Sequence, residues 1–227
     1  MTDTSAEPVR PRLGILGGTF DPVHRGHVAS ALDTASAFDL ERIFLVLSAR
    51  PPHKGETGGA SITQRLEMLE LAAAGSPRLE VSDMEARRPG PSFTYDTLVA
   101  FGETFPGNSL YLMLGIDAFE EMSTWHRAAD IFELANVIVT SRPGFPFPDK
   151  GPVPFVAAHE NACYDPGIGC YVHNSGHVLI GHTISGIAVS ASEIRSRARA
   201  GQPLDELTGP AVARYIEEHR LYGAPTR

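Results

Sequence analysis

Two histidines three residues apart, His24 and His27, follow a glycine pair, Gly17 and Gly18, that ends an apolar run. Glycines at a strand end let a ligand approach the backbone with no Cβ in the way. A helix starting at His24 would open with unpaired N–H groups and the positive end of its dipole, a setting that favours phosphate. Both imidazoles would then share one face of the first turn and could donate hydrogen bonds to phosphate oxygens. Gly26 between them leaves room for a base or a ribose. A single histidine here would read as a helix cap or a satisfied core group, but a pair bracketing a glycine behind a Gly-Gly strand end points to phosphate. A two-histidine zinc site would need further ligands, and only Asp21 is near in sequence.

A second segment, Val189-Ser190-Ala191-Ser192-Glu193-Ile194-Arg195, has related chemistry. Ser190 or Ser192 can cap the helix that follows, and its small residues leave the helix N–H groups accessible. Arg195 would sit on the first turn, where a guanidinium can make a bidentate phosphate contact. Alone, the segment reads as a capped helix with a solvated arginine; beside the first motif, the phosphate reading gains.

These residues need a frame. Apolar runs at 13–17 and 43–47 read as buried strands, with a helix from about residue 24 between them. Its buried face is Val28, Ala31, Leu32, Ala35 and Phe38, spaced for one side of a helix. Strand, helix, strand in this spacing implies a right-handed parallel crossover. The alternation continues with a helix at 64–74, a strand at 79–82, a helix at 95–103 and a strand at 109–114. Helical segments at 118–122 and 127–134 and a strand at 137–140 follow. The pattern predicts an α/β, Rossmann-like, doubly wound parallel sheet with helices on both faces, binding its ligand at the carboxyl ends of the strands. Five prolines between Pro143 and Pro154 exclude a helix or central strand there. Residues 142–177 therefore read as a long surface excursion of a single domain spanning 1–227. Strand-like runs return at 178–180 and 187–189, then closing helices at 192–200 and 210–220. Residues 1–12 read as a disordered leader.

The 227 residues carry a net charge of -8, with 42% hydrophobic and 20% charged residues, values ordinary for a soluble globular domain. The acidic balance argues against a protein that coats nucleic acid. No apolar run approaches the length of a membrane span, and the N-terminal stretch lacks the apolar centre of a signal peptide. A cytoplasmic protein with reduced thiols at Cys163 and Cys170 is expected.

The two motifs together resemble the nucleotidyltransferase superfamily, and further segments resemble bacterial nicotinate-nucleotide adenylyltransferases of NAD biosynthesis. Those segments are Gly-Gly-Thr-Phe-Asp-Pro-Val-His at 17–24, Pro-Pro-His-Lys at 51–54, Pro-Ser-Phe-Thr-Tyr-Asp-Thr-Leu at 91–98, Gly-Ile-Asp at 115–117, Trp125-His126 and Arg142-Pro143-Gly144. The resemblance covers about 13–223. It departs at Ser-Ala-Ser, where Ser-Ser-Thr is commoner, and in the Cys and His content of 159–182.

The resemblance implies adenylyl transfer from ATP to nicotinate mononucleotide, giving nicotinate adenine dinucleotide and pyrophosphate. It implies His24, His27 and Arg195 as catalytic residues. ATP would be held by Gly17, Gly18, Thr19, Phe20, His24, Gly26, His27, Gly115, Asp117, Ser190, Ser192, Ile194 and Arg195. The pyridine nucleotide would meet Asp21, Lys54, Thr94, Trp125, His126 and Arg142. Bland readings stand beside these: a solvated loop lysine for Lys54, a helix cap for Thr94, core or interface packing for Trp125. An acidic side chain after a parallel strand, as at Asp117, suits ribose hydroxyls. Magnesium would arrive with ATP, held by phosphates and water, with no dedicated protein ligands.

Rival readings are a transferase of the same fold acting on phosphopantetheine or a sugar alcohol phosphate, and a non-catalytic nucleotide-binding module. The Thr94 segment with Trp125-His126 counts against the first, and the intact histidine pair with Arg195 against the second. A class I aminoacyl-tRNA synthetase would need a longer chain and a basic surface. His159, Cys163, Cys170, His173, His177 and His182 raise the question of structural zinc, but their spacing matches no familiar finger. Neither nucleic acid nor membrane is an expected partner, and self-association is left open.

Overall fold

Continuous burial along successive strand residues, as over Ile43–Leu47, requires a sheet covered on both faces, and that is the architecture observed. The structure, a computed structural model, describes residues 10–51, 59–141, 147, 161–185 and 187–225. Its strands are β1 (Arg12–Gly18), β2 (Arg42–Leu47), β3 (Leu79–Ser82), β4 (Ser109–Gly115), β5 (Asn136–Thr140), β6 (Ala162–Asp165), β7 (Cys170–His173) and β8 (Val178–His182). They form one sheet in the order β3-β2-β1-β4-β5-β8-β7-β6. Strands β3 to β8 in that order are parallel, and β7 and β6 add an antiparallel edge. The helices are α1 (Arg25–Ala37), α2 (Ile62–Ala73), α3 (Met84–Arg87), α4 (Thr94–Thr104), α5 (Ile116–Glu121), α6 (Ile131–Leu134), α7 (Ala191–Arg199), α8 (Asp205–Thr208) and α9 (Pro210–Glu218). None among the described residues is long and apolar enough to cross a membrane.

The central parallel strands β1, β2, β4 and β5 feed two cores. Ile43, Leu45 and Leu47 of β2 pack with α1, α2, α7 and α9 on one face, while Phe44 and Val46 pack with α4 and α6 on the other. Strand order reverses at β1, which has β2 on one side and β4 on the other. A crevice opens where two such halves diverge, outside the carboxyl ends of β1 and β4. Those ends carry Gly17-Gly18 and Gly115.

Several expectations are corrected. Part of the 142–177 excursion is sheet: an Asp165-Pro166-Gly167 turn, with the Gly167 N–H donating to Asp165 Oδ1 at 2.8 Å, folds β6 onto β7. Residues 187–189 are not a strand, because β8 already has β5 and β7 on its two sides. They cross the start of α1 instead. Helix α2 starts earlier than residue 64, because Ser61 and Gln64 form a reciprocal capping box. Helices α3 and α8, four residues each, are too short for periodicity to reveal. Order reaches back to Arg12 in β1 and to Pro11, whose carbonyl accepts from the Ser109 N–H. The rest of the leader, 1–9, lies outside the described residues.

Candidate active site

The turn from Gly18 to His24 leads the chain from β1 into α1, and three separate parts of the molecule hold it. Arg65 of α2, only 8% exposed, donates to the carbonyls of Thr19 (2.8 Å), Ser48 (2.9 Å) and Ala49 (3.2 Å). One guanidinium thus ties the ends of β1 and β2 together. Arg195 of α7 donates to the Asp21 carbonyl at 2.7 Å. The Asp21 carboxylate accepts from Tyr222 Oη (2.7 Å) and the Ala60 N–H (3.0 Å).

At the start of α1 the two histidines cap the helix reciprocally. The His27 N–H donates to His24 Nδ1 (3.3 Å), and the His24 N–H donates to His27 Nδ1 (3.2 Å). The rings stack with centroids 3.6 Å apart and planes 19° from parallel. An Nδ1 that accepts carries no proton, so a neutral ring must hold its proton on Nε2. Each histidine is therefore built as an Nε2–H donor. Burial alone lowers the His24 pKa to about 4, so His24 is neutral at physiological pH. A Cβ at Gly26 would lie 3.1 Å from His24 Nδ1 and 3.1 Å from the Ile187 carbonyl oxygen. A side chain at position 26 would crowd His24 and the 187–189 crossing.

Beside this motif lies a cavity of about 280 Å³ at the switch point. Gly17, Gly18, Thr19 and Gly115 form one wall, and Thr94, Trp125 and His126 another. Thr94 opens α4, where its side chain makes no cap, and Trp125 ends a short 3-10 turn. The His126 ring lies against Phe93 at 4.5 Å, which links these two segments. Glu85 also lines the cavity. It is 7% exposed, Thr97 donates to its Oε1 at 2.6 Å, and its Oε2 is buried without a hydrogen-bond partner among the described residues. Burial raises its pKa, partly offset by the hydroxyls of Thr97, Ser92 and Ser48 and by Arg88. Ser92 Oγ accepts from the N–H groups of Ala49 and Arg50, both at 3.1 Å, and so fixes the loop after β2.

Expected site residues thus fall into groups. Gly17, Gly18, Thr19, Thr94, Gly115, Trp125 and His126 line the cavity. His24, Gly26, His27, Asp21 and Arg195 gather at the start of α1. Ser190 caps α7 by accepting from the Glu193 N–H at 3.2 Å, with Ser192 Oγ 3.1 Å away. Asp117 is exposed on the first turn of α5. The side chains of Ile194 (0% exposed) and Phe20 (2%) lie in the core, which leaves their backbone as the part that could meet a ligand. Arg195 spends one guanidinium nitrogen on the Asp21 carbonyl, not on a pure phosphate fork. Lys54 and Arg142 lie outside the described residues. Sequence reasoning missed Arg65, Glu85, Ser92, Thr97 and Tyr222. Ser92 and Thr97 lie inside the quoted 91–98 segment, and a lone arginine at Arg65 in an amphipathic helix gives no signal.

The cysteines and histidines of the edge hairpin do not converge. Cys163 is exposed and faces Val172 in register, whereas Cys170 is buried opposite Asp165. His173 Nδ1 lies 2.9 Å from Ser175 Oγ, His177 Nδ1 lies 3.1 Å from the Phe132 carbonyl, and His182 pairs with Asp33 at 3.0 Å. No group of three or more His, Cys, Asp or Glu able to hold a metal occurs among the described residues. His159 lies outside them.

Residues 15–197 match the cytidylyltransferase-like family model. A protein of Citrifermentans bemidjiense named "Probable nicotinate-nucleotide adenylyltransferase" is 39% identical over 213 residues, covering 93% of this chain and 98% of its own. A protein of the same name from Geotalea uraniireducens is 37% identical over 214 residues, with the same coverage. Among solved structures, the Plasmodium falciparum nicotinic acid mononucleotide adenylyltransferase complexed with NaAD superposes with a TM-score of 0.71 at 18% identity, over 95% of this chain and 99% of that one. At that identity the superposition speaks for the fold.

Proposed function

Because this chain belongs to the cytidylyltransferase-like family and, within it, to the nicotinate-nucleotide adenylyltransferases, we propose that it transfers the adenylyl group of ATP to nicotinate mononucleotide in NAD biosynthesis. The observation that carries the reading is the pair of Nε2–H donors at the start of α1, reached through the Gly17-Gly18-Thr19 segment that also lines a cavity with Thr94 and Trp125. A phosphate oxygen of the mononucleotide attacks the α-phosphorus of ATP, one P–O bond forms, the bond to the leaving pyrophosphate breaks, and no covalent enzyme intermediate is needed. Catalysis is then positioning and stabilisation of charge by fixed donors.

His24 and His27 donate Nε2–H to oxygens around the α-phosphorus, the first as a neutral ring. The α1 N–H groups and Gly17-Gly18 lie along the triphosphate. Ser190, Ser192 and Arg195 hold the β- and γ-phosphates, and Asp117 and Gly115 meet the nucleotide's ribose. Thr94, Trp125 and His126 receive the pyridine ring, and Lys54 and Arg142 supply cations for the mononucleotide. Asp21 acts by holding the motif turn. The donors beside the motif are N–H groups, which suit phosphate and not a cation. A magnesium ion would accordingly come with ATP, ligated by phosphate oxygens and water, and would neutralise charge on the leaving pyrophosphate. The chain acts as one nucleotidyltransferase domain in the cytoplasm.

The test is pyrophosphate release from ATP and magnesium with nicotinate mononucleotide, nicotinamide mononucleotide and phosphopantetheine offered in parallel. Strong preference for the first, lost in His27→Ala, is expected. Preference for phosphopantetheine, or turnover of none, overturns the reading.

A further inference from the structure

The short turn Leu221–Gly223 reaches back to the first motif. Tyr222 lies 201 residues from Asp21, yet its hydroxyl donates to Asp21 Oδ1 at 2.7 Å. The same oxygen accepts from the Ala60 N–H, and Oδ2 sits where a Cβ on Gly59 would be, 2.0 Å from that position. Only glycine at 59 lets the carboxylate occupy that place. The Asp21 backbone carbonyl accepts from Arg195 at 2.7 Å. One residue of the motif turn therefore joins the C-terminal turn, the segment entering α2, and α7.

The hydroxyl is not what docks the C-terminal turn. Leu221 (8% exposed) and Ala224 (9%) already pack into the core formed with Val212 and Ala213 of α9. Yet Tyr222 is held at φ 59, between Arg220 at φ 52 and Gly223 at φ 82. Non-glycine residues avoid this left-handed region, so the surroundings fix the ring's direction. Arg65 and Arg195 both face the Tyr222–Asp21 pair closely enough to oppose the rise in the Tyr222 pKa that burial and Asp21 cause.

We propose that Tyr222 is a positioning residue for adenylyl transfer: by donating to Asp21 it fixes the turn that carries His24 and receives Arg195. The proposal rests on the function proposed above. Without the hydroxyl, a part-buried carboxylate loses a donor and can turn toward the guanidinium of Arg195 or Arg65. That drags the motif turn and Arg195 away from the triphosphate. Thr94, Trp125 and His126, on the other segments that line the cavity, make none of these contacts.

The test compares full-length wild type, Tyr222→Phe, Asp21→Asn, the double variant, and Tyr215→Phe, which removes a surface tyrosine hydroxyl bonded to Glu67. ATP affinity is measured by calorimetry, kcat and both KM values by pyrophosphate release, and Tm by thermal melting. Tyr222→Phe is expected to weaken ATP binding and lower kcat by roughly tenfold each, the size of one lost hydrogen bond to a charged group. The KM for nicotinate mononucleotide stays at the wild-type value, the double variant is no worse than the worse single one, and Tyr215→Phe behaves as wild type. Wild-type ATP affinity and kcat in Tyr222→Phe, whatever its Tm, overturn the inference. A wild type that binds ATP but makes no dinucleotide sinks the functional reading alone, because ATP affinity still reports on the junction. A wild type that binds no ATP sinks both.

Discussion

His24 and His27 each use Nδ1 to accept the other's backbone N–H, and their rings stack 3.6 Å apart. The capping role thus occupies Nδ1 of each ring and leaves Nε2 for the phosphate contact proposed above. This separates stability from chemistry in a single substitution. Asparagine is among the best N-cap residues and can replace the Nδ1 acceptor. In His24→Asn the helix cap survives and Tm changes little, but the Nε2–H donor is gone. We expect kcat to fall about 100-fold, the usual cost of removing one fixed donor to developing charge. A melting curve and an initial-rate assay check both halves. A fall in Tm that accounts for the lost activity would contradict the division of roles.

Burial of His24 also sets a pH dependence of folding. Its pKa falls from 6.5 to about 4 in the folded chain. Above 6.5 the ring is neutral in both states and contributes nothing to the slope. As the pH falls from 6.5 toward 4, the unfolded chain takes up a proton that the native site refuses, so stability is lost across that window. The full loss would be on the order of 3 kcal/mol. Urea unfolding at pH 7.5 and pH 4.5 should show a larger drop for wild type than for His24→Asn.

The sheet, its helices on both faces and the cavity at the strand ends were legible from apolar runs spaced along the chain. Runs such as 43–47 and 109–114 can only be strands buried on both sides. The edge hairpin was not legible, because Ala162–Asp165 and Cys170–His173 are four residues long and follow a proline-rich stretch. The placing of the glycines at the strand end and of the histidines at the helix start was legible from their types and spacing. Arg65, Glu85 and Tyr222 were not, since each acts through a partner distant in sequence: Thr19 and Ser48, Thr97, and Asp21. The burial of the Ile194 side chain was not legible either, because a motif pattern does not distinguish a side chain that faces a ligand from one that anchors its helix in the core.

Glu85 should have the opposite pH signature to His24. Its pKa is raised above 4.5, chiefly by burial. Both states are protonated at low pH, and as the pH rises through the ordinary carboxylate range the unfolded chain releases a proton that the folded chain retains. Stability is therefore lost as the pH rises toward the folded pKa. Glutamine keeps the Thr97 acceptor without the charge. Glu85→Gln should unfold at the wild-type urea concentration at pH 4 and at a higher one at pH 8. Equal midpoints at both pH values would show that the carboxyl carries no such burden.

Trp125 poses the sharpest choice between packing and recognition, because it lines the cavity and also packs on the core that contains Phe119 and Met122. If its face carries the pyridine ring, the loss in Trp125→Ala should fall on one substrate. An aromatic contact is worth about 0.5–1.5 kcal/mol beyond its buried area, so the KM for nicotinate mononucleotide should rise roughly tenfold. Trp125→Phe, which keeps a flat ring, should recover most of that. The KM for ATP should not move, since neither histidine nor any residue of α7 lines the cavity that Trp125 lines. If packing were the whole role, Trp125→Ala would lower Tm and raise both KM values together, and phenylalanine would restore Tm first. Measuring the two KM values and Tm on the same three proteins separates the outcomes.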